Sequence, residues 1–190
     1  LDYPFQVAED YPELLEIVRE KVKPERDRLA NGNSTARDRA HRWWQFARPT
    51  IKMYSHISKL ERFLVHPLTS KHNTFAFFEN GIVPSHMTVV IAMQTWAEYA
   101  ILQSEIHWKW ALEYGNKLEN RPQYTPSDCF ETFPFPPDLD SLSDIGKTYY
   151  EHRQLIAEQR QEGLTKIYNG FHDPKERSDG IVEFRLLQIN

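Results

Sequence analysis

The 190-residue sequence has one cysteine, Cys129. That excludes an internal disulfide and a cysteine-rich zinc site, and reads as a protein of a reducing compartment, the cytoplasm, or as one indifferent to redox. Its seven glycines are scattered, so no two can build a phosphate-cradling or dinucleotide-binding loop. A run of about 18 apolar residues, long enough to cross a membrane, is missing. So is a leader peptide pattern. The sequence begins at Leu1 and not at a methionine, which reads as a fragment or as a processed chain.

Catalytic signatures are equally scarce. There is no Gly-x-Ser-x-Gly elbow, and the eight histidines lack metal-ligand spacing. Cys129 sits among Phe130 and Phe133, which suits a buried structural thiol better than a nucleophile. Asp138 and Asp140 stand beside prolines and read as loop and cap residues. The expectation is therefore no catalytic residue, no metal ligand and no cofactor-binding residue in this chain, which binds rather than converts.

What is present is a core-forming supply: 40% hydrophobic residues and 13% aromatic, with five tryptophans. The net charge is −4, yet eight Lys/Arg stand between Arg37 and Lys71 against two acids, a +6 segment inside an acidic chain. Phosphates respond to charge within about 10 Å, so the local sign matters more than the total. The segment reads either as a solvated helix face or as a nucleic-acid contact.

Periodicity gives an α+β class. A helical N-terminal segment is predicted from an Asp10/Glu13 capping box through Leu14, Val18 and Val22, with a break at Pro24. A second helix should start at Thr35, bury Ala36, Ala40, Trp43, Trp44 and Ala47, and stop at Pro49. A small central, mostly antiparallel sheet is expected from strands near Arg62–His66, Thr74–Phe78 and Met87–Ala92. Asn80-Gly81 supplies a hairpin turn. Long C-terminal helices follow: one unbroken from Trp96 to Tyr114, and another opened by Ser141 and closed by Gly163. Five prolines between Arg121 and Asp138 predict an extended loop. The implied division is residues 1–34 as a helical segment, 35–138 as a recognition domain and 139–190 as a helical extension.

Three segments carry a family resemblance. They are Arg42-Trp43-Trp44-Gln45-Phe46-Ala47-Arg48-Pro49, then Tyr124 through Pro136 (YTPSDCFETFPFP), then Glu162 through His172 (EGLTKIYNGFH). In that order and spacing they resemble the C-terminal part of MmeI-like, type IIG bacterial restriction-modification proteins. The resemblance implies a target-recognition region reading double-stranded DNA. It also implies an adenine-specific, S-adenosylmethionine-dependent methyltransferase domain elsewhere in the same parent chain. The methylase tetrapeptide, Asn or Asp then Pro-Pro and an aromatic, is absent here, and Phe135-Pro136-Pro137-Asp138 does not replace it.

DNA recognition divides into cations on phosphates and side chains on base edges. The expected DNA-facing residues are Arg48, Lys52, Lys59, Arg62, Ser70, Lys71, His72 and Asn73, at strand ends and in the loop between strands. Trp43 and Trp44 are expected in the core, and Phe130, Phe133 and Phe135 in a strap packed on it. The third segment reads as an anchor for the methyltransferase domain or as local packing of Leu164, Ile167, Tyr168 and Phe171. Two other classes remain open: a protein-interaction module, and a small enzyme with an unrecognised site.

Overall fold

The computed structural model describes residues 5–45, 50–119 and 121–188. It is an α+β protein, 54% helical, with a small antiparallel sheet and long C-terminal helices. Two compact units divide it, Leu1–His56 and Ile57–Asn190.

The first unit is helical: α1 (Phe5–Glu9), α2 (Pro12–Lys21), α3 (Lys23–Leu29), α4 (Ser34–His41) and most of α5 (Ile51–Ile57). The break before Pro24 falls where expected, because proline suits only the first turn of a helix. The capping residues differ from expectation. Tyr11, with no side-chain bond, precedes α2, and Pro12 rather than an Asp10 cap fixes its start. The Oδ1 of Asn33, not Thr35, caps α4 by accepting from the Ala36 amide at 3.0 Å. That helix ends at His41, before Pro49. Its end is stopped by the Arg26 guanidinium, which donates to the carbonyls of Arg42, Trp43 and Gln45 at 3.1, 3.0 and 2.7 Å. Trp43 is buried, edge-on to Trp44 at 6.0 Å. Ala47, placed on the same apolar stripe by the sequence, lies outside the described residues.

The second unit is built on a three-stranded sheet of order β2-β1-β3, with β1 (Arg62–Pro67), β2 (Ala76–Glu79) and β3 (Thr88–Ile91). Phe63, Leu64, Val65 and His66 are all buried, as a central strand covered on both faces requires. The register pairs Val65 with Ala76 on one side and with Val90 on the other. Asn80-Gly81 does form a turn, with Gly81 at φ +99° and the Ile82 amide on the Glu79 carbonyl at 3.3 Å. It is not a hairpin, however. β2 and β3 do not pair, because β1 lies between them and takes both ladders.

The long helix expected from Trp96 to Tyr114 is two: α6 (Trp96–Gln103) and α7 (Glu105–Tyr114). Ser104 is extended at the junction, and its hydroxyl caps α7 by accepting from the His107 amide at 3.2 Å. The rotation this introduces leaves Ile106 exposed. The proline-rich stretch is not all loop either. Strands β4 (Asn116–Leu118) and β5 (Arg121–Gln123) form a hairpin, and α8 (Pro126–Cys129) follows.

A 3-10 turn, Asp140–Leu142, leads into α9 (Ser143–Arg160). Gln161, in the left-handed region at φ 51°, ends α9. Gly163 instead precedes α10 (Leu164–His172), and α11 (Asp179–Leu186) closes the unit. The core joins the sheet to these helices through Leu64, Phe75, Tyr99, Leu102, Tyr149, Ile156, Tyr168 and Phe184. Cys129 is fully buried within it, its thiol pushed up by burial, and the Phe130–Phe133–Phe135 strap packs there as expected.

Candidate nucleic-acid interface

Beyond the C-terminal end of β1 the chain continues extended through Leu68, Thr69 and Ser70. The Leu68 amide donates to the Met87 carbonyl at 2.7 Å, which lays the turn before β3 alongside. On the other side the Tyr124 amide donates to the Leu68 carbonyl at 2.9 Å, and the Ser70 amide to the Pro122 carbonyl at 3.2 Å. Thr69 bridges Gln123. Three stretches distant in sequence therefore lie side by side at one end of the sheet: residues 68–71, residues 85–87 and the β4–β5 hairpin. This edge exposes Lys71, Ser85, His86, Lys117, Glu119 and Arg121. Lys71, His86, Lys117 and Arg121 offer donors for phosphates or base edges, and Glu119 an acceptor.

The loop itself is rigidly held. The Ser70 hydroxyl donates to the His72 carbonyl at 2.7 Å and accepts from the His72 amide at 3.1 Å. His72 is buried, and its Nε2–H donates to Oδ1 of Asn169 in α10 at 2.9 Å. Asn73 is buried too. Its Nδ2 donates to the Leu102 carbonyl at 2.9 Å, satisfying the end of α6 where the helix breaks. Gln103 closes the arrangement, donating to the Asn73 carbonyl at 2.6 Å and accepting from the Phe75 amide at 3.0 Å. In this structure His72 and Asn73 fasten the loop, and Lys71 is the side chain the loop offers to solvent.

The other expected contacts are placed elsewhere. Lys59 and Arg62 stand at the opposite end of β1, roughly 20 Å away at about 3.3 Å per residue. Lys59 is exposed. Arg62 is held by its own fold. Its guanidinium sits over the rings of Phe77 and Trp96, which meet edge to face, 3.8 and 3.9 Å from their centroids, and its Nε–H donates to the Gln94 carbonyl at 2.9 Å. Lys52 is exposed on α5, in the first unit. Arg48 lies outside the described residues. Neither the hairpin nor the His86 turn stands among the contacts expected from the sequence, and α10 was expected as an anchor or as local packing. The hairpin did leave a signal, the Glu119-Asn120 pair between two short polar runs.

The family described as "MmeI, target recognition domain" matches residues 2–137. The chain belongs to that family. Its fold is similar to a solved structure described as the type IIL restriction-modification enzyme MmeI in complex with DNA. The TM-score is 0.57 at 20% sequence identity, over 85% of this chain and 21% of the other. At that identity the likeness establishes a shared fold, and this chain spans about a fifth of the length of that MmeI protein. No curated protein matches the chain. The MmeI family segment runs across both units and contains the whole sheet, the β4–β5 hairpin and the strap; α9, α10 and α11 follow it.

Among the described residues no helix is long and apolar enough to cross a membrane, and no group of His, Cys, Asp and Glu could hold a metal ion.

Proposed function

We propose that this chain reads a sequence in double-stranded DNA as the target-recognition part of a type IIG, adenine-specific restriction-modification protein of bacterial cytoplasm. Membership of the MmeI target recognition family is the observation that carries this reading. The polar, donor-rich edge at the end of the sheet agrees with it, and a relative of the same fold is described in complex with DNA. The hairpin and the residue 85–87 turn are narrow, exposed elements of a size that enters a major groove. Exposed Lys52, Lys59 and Lys71 would neutralise phosphates.

Methyl transfer belongs to a methyltransferase domain of the same parent chain, with S-adenosylmethionine as its donor. The turns after β1, β2 and β3 hold no more than the single Gly81, so no glycine-rich loop opens a helix behind a strand.

The test is a pair of titrations on the intact chain. Fluorescence anisotropy with labelled duplex pools should show salt-dependent binding and enrichment of one sequence on selection. Calorimetry with S-adenosylmethionine should show no heat of binding. Duplex affinity indifferent to both salt and sequence would refute the recognition role. Micromolar cofactor binding would refute the proposed division of labour.

A further inference from the structure

Lys71 meets α10 at a small polar cluster that the fold leaves half used. Asn169 turns its Oδ1 inwards, where it accepts from buried His72 at 2.9 Å and lies 3.5 Å from the Lys71 ammonium. That fixes the amide, so its Nδ2 hydrogens face outwards, and among the described residues they have no acceptor. His172, one turn on, stacks flat on His72, ring centroids 4.9 Å apart at 7°. His172 is itself exposed. Glu105, whose charge acts on His172, is already occupied by Lys109 at 2.8 Å and by the Gln188 amide at 3.1 Å. Burial first, then His72, Lys71 and Arg185, hold the His172 imidazole below its ordinary range, with Glu105 opposing.

The chemistry selects among ligands. An asparagine reads adenine through two bonds, Oδ1 accepting and Nδ2 donating. Here Oδ1 is spent on His72, so a base edge would find only half of that pair. What remains outward is an ammonium, an amide NH2 and an imidazole edge, a set that suits the non-bridging oxygens of a phosphodiester. We propose that Lys71, Asn169 and His172 together hold one phosphate of the DNA backbone, which extends the DNA footprint onto α10, beyond the family segment. The proposal rests on the DNA-binding reading above.

The variant Asn169→Asp tests it with little disturbance of the fold. It keeps the Oδ1 acceptor for His72 and Lys71 and replaces the outward NH2 with an anionic oxygen. In anisotropy titrations of the intact chain at about 0.1 M salt, it should bind every duplex about tenfold or more weakly than wild type. Lys71→Gln, at an exposed position, should lower the slope of log affinity against log salt by about 0.9. Thermal unfolding of both variants checks the fold. If wild type binds duplex and both variants match it in affinity and slope, the phosphate site is wrong and the DNA reading stands. If wild type binds no duplex, both fall together. Inorganic phosphate is the probe for the other source: if it shifts the His172 imidazole NMR signals at concentrations where duplex does not, the site takes free phosphate, and the DNA assignment is overturned.

Discussion

A methyl group on Gly146 would stand 2.2 Å from the carbonyl oxygen of Trp96. It would also lie 3.0 Å from Cβ of Ala100, so α9 and α6 touch backbone to backbone at this point. The obstacle is a helix carbonyl, which cannot rotate away as a side chain could. Gly146→Ala should therefore push the helices apart and cost about 1–3 kcal/mol, read as a lower urea midpoint. Gly180 in α11 gives the opposite sign. Its methyl would meet only Ile156 at an ordinary 3.6 Å, so Gly180→Ala should stabilise by up to about 1 kcal/mol through helix propensity.

Two imidazoles are buried without full partners. His66 Nδ1 faces the Pro67 carbonyl at 2.7 Å, and His107 Nε2 faces the Tyr124 hydroxyl at 2.8 Å. Among the described residues, His66 Nε2 and His107 Nδ1 have no partner. Burial pushes His66 down to about 3 and His107 to about 4, from an ordinary 6.5. Between those values the unfolded chain binds protons that the folded chain refuses. Stability is thus complete above about pH 6.5 and is lost as pH falls towards 4, by up to about 1.4 kcal/mol per pH unit for each ring. Urea unfolding across pH 7 to 4 should show this slope. His107→Gln should flatten part of it, and an unchanged slope would remove His107 from the account.

Arg62 tests the difference between its type and its place. Two ring contacts and a hydrogen bond to the Gln94 carbonyl hold it, so Arg62→Ala should cost about 2–3 kcal/mol in thermal or urea unfolding. Lysine lacks the planar group that lies over the Phe77 and Trp96 rings, so Arg62→Lys should recover less than half of the loss. If Arg62→Ala left stability intact and changed only DNA site choice, the side chain would have to leave those rings to act.

The strands of the central sheet were legible because Phe63–Val65 and Val89–Ile91 are dense in residues that pack on a sheet, whereas the short polar β4 and β5 were not. The helix starts were legible to within a few residues. Pairing was not: Asn80-Gly81 announces a turn, but whether Glu79 pairs forwards or back to Arg62 depends on where β1 lies. The break at Ser104 was hidden because Ser-Glu also suits a helix interior, and the group that satisfies the broken end, Asn73, stands some thirty residues away. The candidate contacts divided for the same reason. Ser70-Lys71-His72-Asn73 is a polar run in sequence, yet α6 and α10 bury His72 and Asn73 and leave Lys71 outside. Arg62 is a DNA-facing candidate by its chemistry and place in the sequence, while the rings that hold it, on Phe77 and Trp96, come from other elements.

Lys59 and Arg121 stand near opposite ends of β1, both exposed, and should answer differently to the same assay. Arg121 begins β5, beside the extended Leu68–Ser70 stretch, on the edge proposed to enter a groove. Arg121→Ala should weaken binding to the preferred duplex by about 1–3 kcal/mol and hardly affect unrelated duplexes, since a guanidinium on a guanine edge is paired in only one sequence. Lys59 lies in the turn before β1, away from that edge. If it meets a phosphate, Lys59→Ala should weaken all duplexes alike and lower the salt slope by about 0.9. Selecting bound duplexes from a randomised pool separates the two effects, because a lost base contact relaxes one position of the selected site and a lost phosphate contact relaxes none. A selected site unchanged by Arg121→Ala, at unchanged affinity, would move sequence reading away from the β4–β5 hairpin. Uniform loss from Arg121→Ala would make it a backbone contact and leave the base edge to His86 and its turn.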